Sequence, residues 1–203
     1  MSALPGVVSA LIAPLFALAC GGSAAPPSTA SGAPGAAGPT LPVHRFLPLE
    51  DDFVYAYDTS SDRSAERGVL MMHVTRPHAG MVSLQIGQKT HRLELAPQGV
   101  RYLAGGWILR APLALGATWR GEAGTVRISA VDKAVDVPAG KFVGCVETVE
   151  ETDTGVSRRK VTTTFCPDVG IAALDAEASI DGDLIAERAL LRSFGKRIDL
   201  SAE

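Results

Sequence analysis

From Phe46 to Phe194 apolar side chains recur at every second position, the period of a strand that buries one face. Phe53, Tyr55 and Tyr57 alternate with Val54 and Ala56, and Val82, Leu84 and Ile86 with Ser83 and Gln85. Leu93 and Leu95 alternate with Arg92 and Glu94, and Val126, Ile128 and Ala130 with Arg127 and Ser129. The stretch Gly68–Pro77 is rich in Val, Leu and Met and also reads as a strand, as does Trp107-Ile108-Leu109 after the Gly105-Gly106 break. Turn signals at Ala79-Gly80, Gly87, Gly99, Gly116 and Pro138-Ala139-Gly140 punctuate these runs. Short strands at that spacing predict an all-β fold: an antiparallel meander forming an open half-barrel or a sandwich.

One hairpin can be registered by arithmetic. With Gly155-Val156 as a two-residue loop, glycine first as a type II′ turn requires, paired positions add to a constant. Asp153 then faces Arg158, Glu151 faces Lys160, Thr148 faces Thr163 and Val146 faces Phe165. Opposite charges and matched β-formers fall opposite one another, as cross-strand pairing favours. The same register sets Cys145 against Cys166 at a non-hydrogen-bonded pair, where Cα atoms approach to about 4.5 Å. That separation is within reach of a disulfide. Further on, Ala172, Leu174, Ala176, Ala178 and Ile180 share one strand face, while Asp175, Glu177 and Ser179 share the other. Asp181-Gly182 reads as a hairpin turn. The last segment is a strand from about Leu184 to Phe194, or a short helix with Asp183 as N-cap and Gly195 as C-cap. The preceding hairpin turn favours the strand.

The first 44 of the 203 residues contain no Asp, Glu, Lys or Arg, so they separate from the rest. Residues 1–19 are small and apolar, too short and too interrupted by Pro5 and Pro14 for a spanning helix, and they read as a signal peptide. Phe16-Ala17-Leu18-Ala19-Cys20 resembles the lipobox of bacterial lipoproteins. The resemblance implies cleavage after Ala19 and acylation of Cys20, which would hold the chain to a membrane. Gly21 in place of aspartate, by the same resemblance, implies sorting to the outer membrane. Residues 20–45 then form a lipidated cysteine and a Gly/Ala/Ser/Pro tether too poor in apolar surface to fold, and 46–198 form the β-rich domain. An exported chain meets an oxidising compartment. With Cys20 acylated, Cys145 and Cys166 remain to pair.

The motifs Val137-Pro138-Ala139-Gly140-Lys141-Phe142 and Cys166-Pro167-Asp168-Val169-Gly170-Ile171 resemble a pattern in exported bacterial proteins whose domains look like open half-barrels of the lipoprotein-localisation (LolA/LolB-like) type. The resemblance covers residues 118–194 best, and its motifs are turns rather than catalytic devices. It implies a second role, an apolar-ligand or lipid carrier lined by Val69, Met71, Leu84, Ile86, Leu93 and Leu95. The same six residues also serve simply as core.

Charge and chemistry narrow the picture further. A net charge of −3 without a basic block offers nothing to nucleic acid. His44, His73, His78 and His91 are scattered and lack metal-ligand spacing. Asp181-Gly182-Asp183 is too poor in ligands for a calcium loop. Asp175 and Glu177 read as a solvated strand face rather than an acid–base pair. Neither a nucleophile elbow nor a phosphate or dinucleotide fingerprint occurs, so no cofactor is expected. The expectation is a non-enzymatic binding or scaffolding module in the cell envelope, partnered by a membrane through Cys20 and by an envelope protein or lipid.

Overall fold

The computed structural model describes residues 42–180 and 183–197, the side chains of 65, 66 and 180 aside. The described residues form one turn of 3₁₀ helix, Val43–Phe46, followed by twelve strands. These are β1 (Phe53–Ser61), β2 (Ser64–His78), β3 (Met81–Ile86), β4 (Lys89–Ala96), β5 (Gly99–Tyr102) and β6 (Trp107–Arg110). The second half contributes β7 (Thr118–Arg120), β8 (Thr125–Val137), β9 (Gly140–Asp153), β10 (Ser157–Cys166), β11 (Gly170–Ile180) and β12 (Asp183–Lys196). All twelve join one antiparallel sheet in the order β6-β5-β4-β3-β2-β1-β12-β11-β10-β9-β8-β7.

This is a meander that closes on itself through β1 and β12. The seam falls instead between β6 and β7, consecutive strands that lie at the two edges of the sheet. The edges meet without a ladder. The Trp119 indole N–H donates to the Trp107 carbonyl across the seam at 3.1 Å. Just beyond, Gly106 has φ +85° and touches the Gly121 backbone so closely that a Cβ there would overlap the Gly121 carbonyl oxygen. Only glycine lets the two turns meet. The result is a nearly closed barrel.

The registered hairpin stands as arithmetic places it: Asp153 pairs with Arg158, Glu151 with Lys160, Thr148 with Thr163 and Val146 with Phe165. Cys145 and Cys166 are bridged, with Cα atoms 4.2 Å apart. The segment after Asp183 is a strand, paired with β11 from Ile180↔Asp183 to Ala173↔Leu190. The Asp181-Gly182 turn itself lies outside the described residues.

The inward face of the barrel is apolar and the outward face charged. Tyr55, Tyr57, Val74, Val82, Leu93, Val100, Leu109, Ile128, Phe165 and Leu191 are almost wholly buried. Ion pairs cross the outer face between neighbouring strands: Asp58 with Arg192, Asp175 with Arg188, Glu177 with Lys160 and Glu94 with Arg101. A barrel that spans a membrane carries the reverse pattern, an apolar belt outside. No helix among the described residues is long and apolar enough to cross one.

The start of the fold differs from expectation. Residues 43–45, which composition assigns to the tether, belong to the folded domain. Val43, Phe46, Leu47 and Leu49 are each about 5% exposed and join the barrel core. They form a plug at the end of the barrel where the β10–β11 turn lies. The segment Val43–Leu49 carries four aliphatic or aromatic side chains around the polar His44 and Arg45, and at a barrel end all four are buried.

Candidate functional site

Three features of the barrel have chemistry to consider: the plugged end, the opposite mouth and the outer wall. At the plugged end the sequence Pro167-Asp168-Val169-Gly170 makes the β10–β11 turn, with Asp168 at φ 61° and Gly170 at φ 99°. Asp tolerates the left-handed region and Gly enters it freely. That geometry presents the Asp168 amide to the Arg45 carbonyl at 2.6 Å, while the Asp168 carboxylate accepts from the Arg45 guanidinium through both Nε (2.8 Å) and Nη2. Tyr55 Oη donates to the Pro48 carbonyl at 3.0 Å, and the Tyr55 ring packs beside Gly170. Burial raises the Tyr55 and Tyr57 pKa values, so both phenols stay protonated donors. Tyr57 Oη donates to the Ile171 carbonyl at 3.0 Å.

The hydrogen bonds from Arg45 hold the Asp168 carboxyl below its ordinary range. A depressed carboxylate pKa stabilises the fold above the unfolded value of about 4 and loses that contribution as pH falls through the folded one. The plug is therefore expected to loosen below about pH 4. Hydrogen-exchange protection factors for the amides of residues 43–47 and 49 should fall as pH drops below about 4 while those of β1 hold. In Asp168→Asn they should already be reduced at neutral pH and change little on acidification. Unaltered protection in that variant would show that the ion pair does not secure the plug.

A second device crosses the same end. β10 stops pairing with β9 at Phe165↔Val146, and the β8–β9 ladder is irregular between Ile128 and Val135. Residues 131–144 thereby leave the sheet as a two-stranded arm, with the Cys145–Cys166 bridge at its root. The Val137-Pro138-Ala139-Gly140 tip folds back over the barrel, and the Ala139 amide donates to the Leu191 carbonyl at 2.9 Å. Phe142 on the arm meets Phe194, which also meets Phe53 and Tyr55.

At the opposite mouth lies a polar cluster that sequence reading missed. Glu150 Oε1 accepts from the Ala123 and Gly124 amides at 2.8 and 2.9 Å. The Tyr102 phenol has its pKa raised by burial and by the nearby Glu122 and Glu150 carboxylates, with Arg159 acting in the opposite direction. These residues sit on four separate strands and turns with no sequence spacing to link them. Their hydrogen bonds cap a turn, and no buried side-chain nitrogen or oxygen among the described residues lacks a partner.

The six residues of the apolar-ligand face do not share a face. Leu84 and Leu93 are buried in the core, with Ile86 and Leu95 packed against it. Val69 and Met71 point outward at 56% and 49% exposure. The inward positions of β2 are Leu70, Met72 and Val74, fixed by their pairing with Tyr57, Tyr55 and Phe53. The run Val69-Leu70-Met71-Met72 is apolar in both parities, so alternation alone could not choose between them.

The other candidates are structural in their surroundings. Asp175 pairs with Arg188 at 2.9 Å and Glu177 with Lys160 at 3.7 Å. Asp183 pairs with Arg63. Arg158 pairs with Asp153 at 2.7 Å. His73 lies 3.1 Å from Asp52 and His91 against the Tyr102 ring. His44 lines a groove beside Leu47 and Arg76, and His78 stands opposite Met81 in the β2–β3 hairpin. Among the described residues no three His, Cys, Asp or Glu side chains converge as metal ligands. An open groove of about 490 Å³ lies on the wall formed by β9 to β12, lined by Asp153, Arg158, Lys160, Glu177 and Leu184. A smaller one of about 320 Å³ lies at Thr59, Ser61, Leu70, Leu174 and Glu187. Cys20 lies outside the described residues.

Fold and site together define a class: an inside-apolar, outside-polar twelve-stranded meander barrel with an N-terminal plug. Solved structures of similar architecture include a protein named as exported, with a YmcC-like fold, from Bacteroides fragilis. It shares 10% identity at a TM-score of 0.46, over 75% of this chain and 99% of that one. Another is a protein named as a lipoprotein from Parabacteroides distasonis, with 10% identity and a TM-score of 0.40, over 74% of this chain and 98% of that one. No protein-family model matches the sequence, and no curated protein matches it.

Proposed function

We propose that this chain is a lipid-anchored protein of the cell envelope, held at the outer membrane through Cys20, whose barrel is a non-enzymatic binding or scaffolding module. The observation that carries the reading is the filled interior. The barrel spends its inward side chains on its own core and closes one end with its own Val43–Leu49 segment. Recognition is therefore a matter for the charged outer wall and the loops. The lipobox supplies the mechanism, since a tether to the membrane raises the local concentration of the domain near envelope partners.

Carriage of an apolar ligand is the alternative. Leu84, Ile86, Leu93 and Leu95 belong to the inward-facing apolar set such a carrier needs, but they already pack against the core. The two readings separate in one experiment. Wild type and Cys20→Ala are compared by metabolic acyl labelling and membrane fractionation, and the extracted wild type is then weighed by native mass spectrometry. Label and membrane association lost in the variant, with a ligand-free mass for the wild-type domain, are the expected results. A variant that fractionates like wild type would overturn the anchor, and a stoichiometric co-purifying lipid would overturn the module in favour of the carrier.

A further inference from the structure

We infer that the outer wall around the β6–β7 seam is a binding surface for a flexible polyanion, an acidic polysaccharide, engaged by one arginine from each of five neighbouring strands. The inference deepens the binding-module reading above and rests on it for the envelope setting. Arg92 of β4, Arg101 of β5, Arg110 of β6, Arg120 of β7 and Arg127 of β8 are all exposed. Strand register puts them on one face. Arg92 stands opposite Ser83, Arg101 opposite Glu94, Arg110 opposite Gly99, Arg120 opposite Thr125 and Arg127 opposite Thr118. The residue beside each of them, Leu93, Val100, Leu109, Trp119 or Val126, is buried inward. Along the chain these arginines are dispersed and form no basic block; closure of the barrel gathers them.

Charge sets this wall apart. Arg101 bonds Glu94 at 2.6 Å, while Arg92, Arg110, Arg120 and Arg127 form no ion pair with any described residue. The other acids nearby are Glu151, beyond Thr125 from Arg120, and Glu122 in the β7–β8 turn. On the wall from β9 through β12 to β1, acids and bases stand in pairs: Asp153–Arg158, Glu177–Lys160, Asp175–Arg188 and Asp58–Arg192. The whole chain carries a net charge of −3, so the five arginines do not reflect a basic protein. Fold stability does not call for them, since like charges on neighbouring strands repel. Charge on β6 and β7 would blunt two free edges, but β4, β5 and β8 are paired on both sides. The Arg101 and Arg110 guanidiniums lie 5.8 and 5.3 Å from the centroid of the Trp107 ring, an attraction that helps fix both cations in place. Arginine's planar fork matches a carboxylate through two parallel hydrogen bonds. Five of the twelve strands of a nearly closed barrel make a curved wall. A flat bilayer touches only part of such an arc, whereas a flexible chain of anionic sugars can follow it. Single-stranded nucleic acid wants open aromatic faces for its bases, and the indole on this wall is taken up by guanidiniums.

The test uses the mature chain carrying Cys20→Ala, so that the wall is read without the anchor. The probe is immobilised polygalacturonate, a linear polymer of carboxylated sugars, with neutral dextran as the control. Binding is measured at about 0.15 M salt, where screening confines charge effects to about 8 Å. The chain should bind polygalacturonate and not dextran, and binding should weaken as salt rises. Arg110→Gln with Arg120→Gln and Arg127→Gln should weaken it about tenfold or more. Arg158→Gln with Arg188→Gln and Arg192→Gln removes the same charge from the ion-paired wall and should change it less than about twofold. All six side chains are exposed, and circular dichroism checks that each variant retains its sheet. No binding of polygalacturonate, or an equal loss from the two triple variants, would overturn the inference. So would tighter binding to phosphatidylglycerol vesicles or to single-stranded DNA than to polygalacturonate. Acyl labelling of wild type reports on the anchor separately, so failure of the wall and failure of the anchor are distinguishable.

Discussion

Replacing both Cys145 and Cys166 by alanine is expected to lower the stability of the domain by about 3 kcal/mol. The bridge closes a loop with a sequence separation of 21 residues. In the chain-entropy account, freeing a loop of that length returns this much conformational entropy to the unfolded chain. For a domain of this size the corresponding drop in Tm is roughly 6–12 °C. The loss should not be uniform. The bridge stands where β10 stops pairing and the arm 131–144 leaves the sheet. Beyond that point the arm is held by its own irregular ladder, the Ala139–Leu191 hydrogen bond and the Phe142–Phe194 contact. Urea denaturation of the native and double-alanine proteins measures the total, and hydrogen exchange locates it. Amides of the arm should exchange fastest in the variant. Unchanged midpoints would mean that sheet pairing alone fixes the root of the arm. Both sulfurs are fully buried, so reductant should act on the native protein only through opening, and reduction should accelerate in mild urea.

The second large effect is expected at the plug. Phe46 is 5% exposed and is the largest side chain among the four that close the barrel end. Phe46→Ala should cost about 3–5 kcal/mol if the surrounding structure cannot collapse into the space. The plug differs from a strand in that its main chain has no ladder with the sheet. It is held by side-chain burial, the Arg45–Asp168 pair and the Tyr55–Pro48 hydrogen bond. Local release can therefore limit the loss of global stability and expose the apolar interior instead. The two outcomes are separable by pairing urea denaturation with binding of an apolar fluorescent dye under native conditions. A fall in midpoint without dye binding means a cavity inside an intact plug. Dye binding with a small fall in midpoint means that the plug has left. Neither change would show that the barrel end is closed by the arm and turns alone.

Much of this architecture was legible along the chain because it depends on neighbours in sequence. Alternation at Phe53–Tyr57, Val82–Ile86 and Val126–Ala130 marks β1, β3 and β8, since strand periodicity is a local property. The β9–β10 register followed from one glycine turn and the matched pairs on either side of it. It carried the disulfide with it, because pairing between adjacent strands of a hairpin is set by the turn. The last strand was legible for the same reason, through the turn before it.

What depended on distant partners was not legible. The parity of β2 could not be read from Val69-Leu70-Met71-Met72, since every residue in the run is apolar, and only pairing with Tyr55 and Tyr57 turned Leu70 and Met72 inward. Closure through β1 and β12, the seam at Gly106 and Gly121, and the docking of Val43–Leu49 against a turn more than a hundred residues away bring together segments with no shared local signal. The sequence by itself determined most of the strands, the β9–β10 register and the pairing of two cysteines, because turn chemistry and period-two burial act over a few residues. The tertiary structure alone decided which face is inside, where the barrel closes and what fills its end. Those outcomes follow from which distant surfaces can exclude water together.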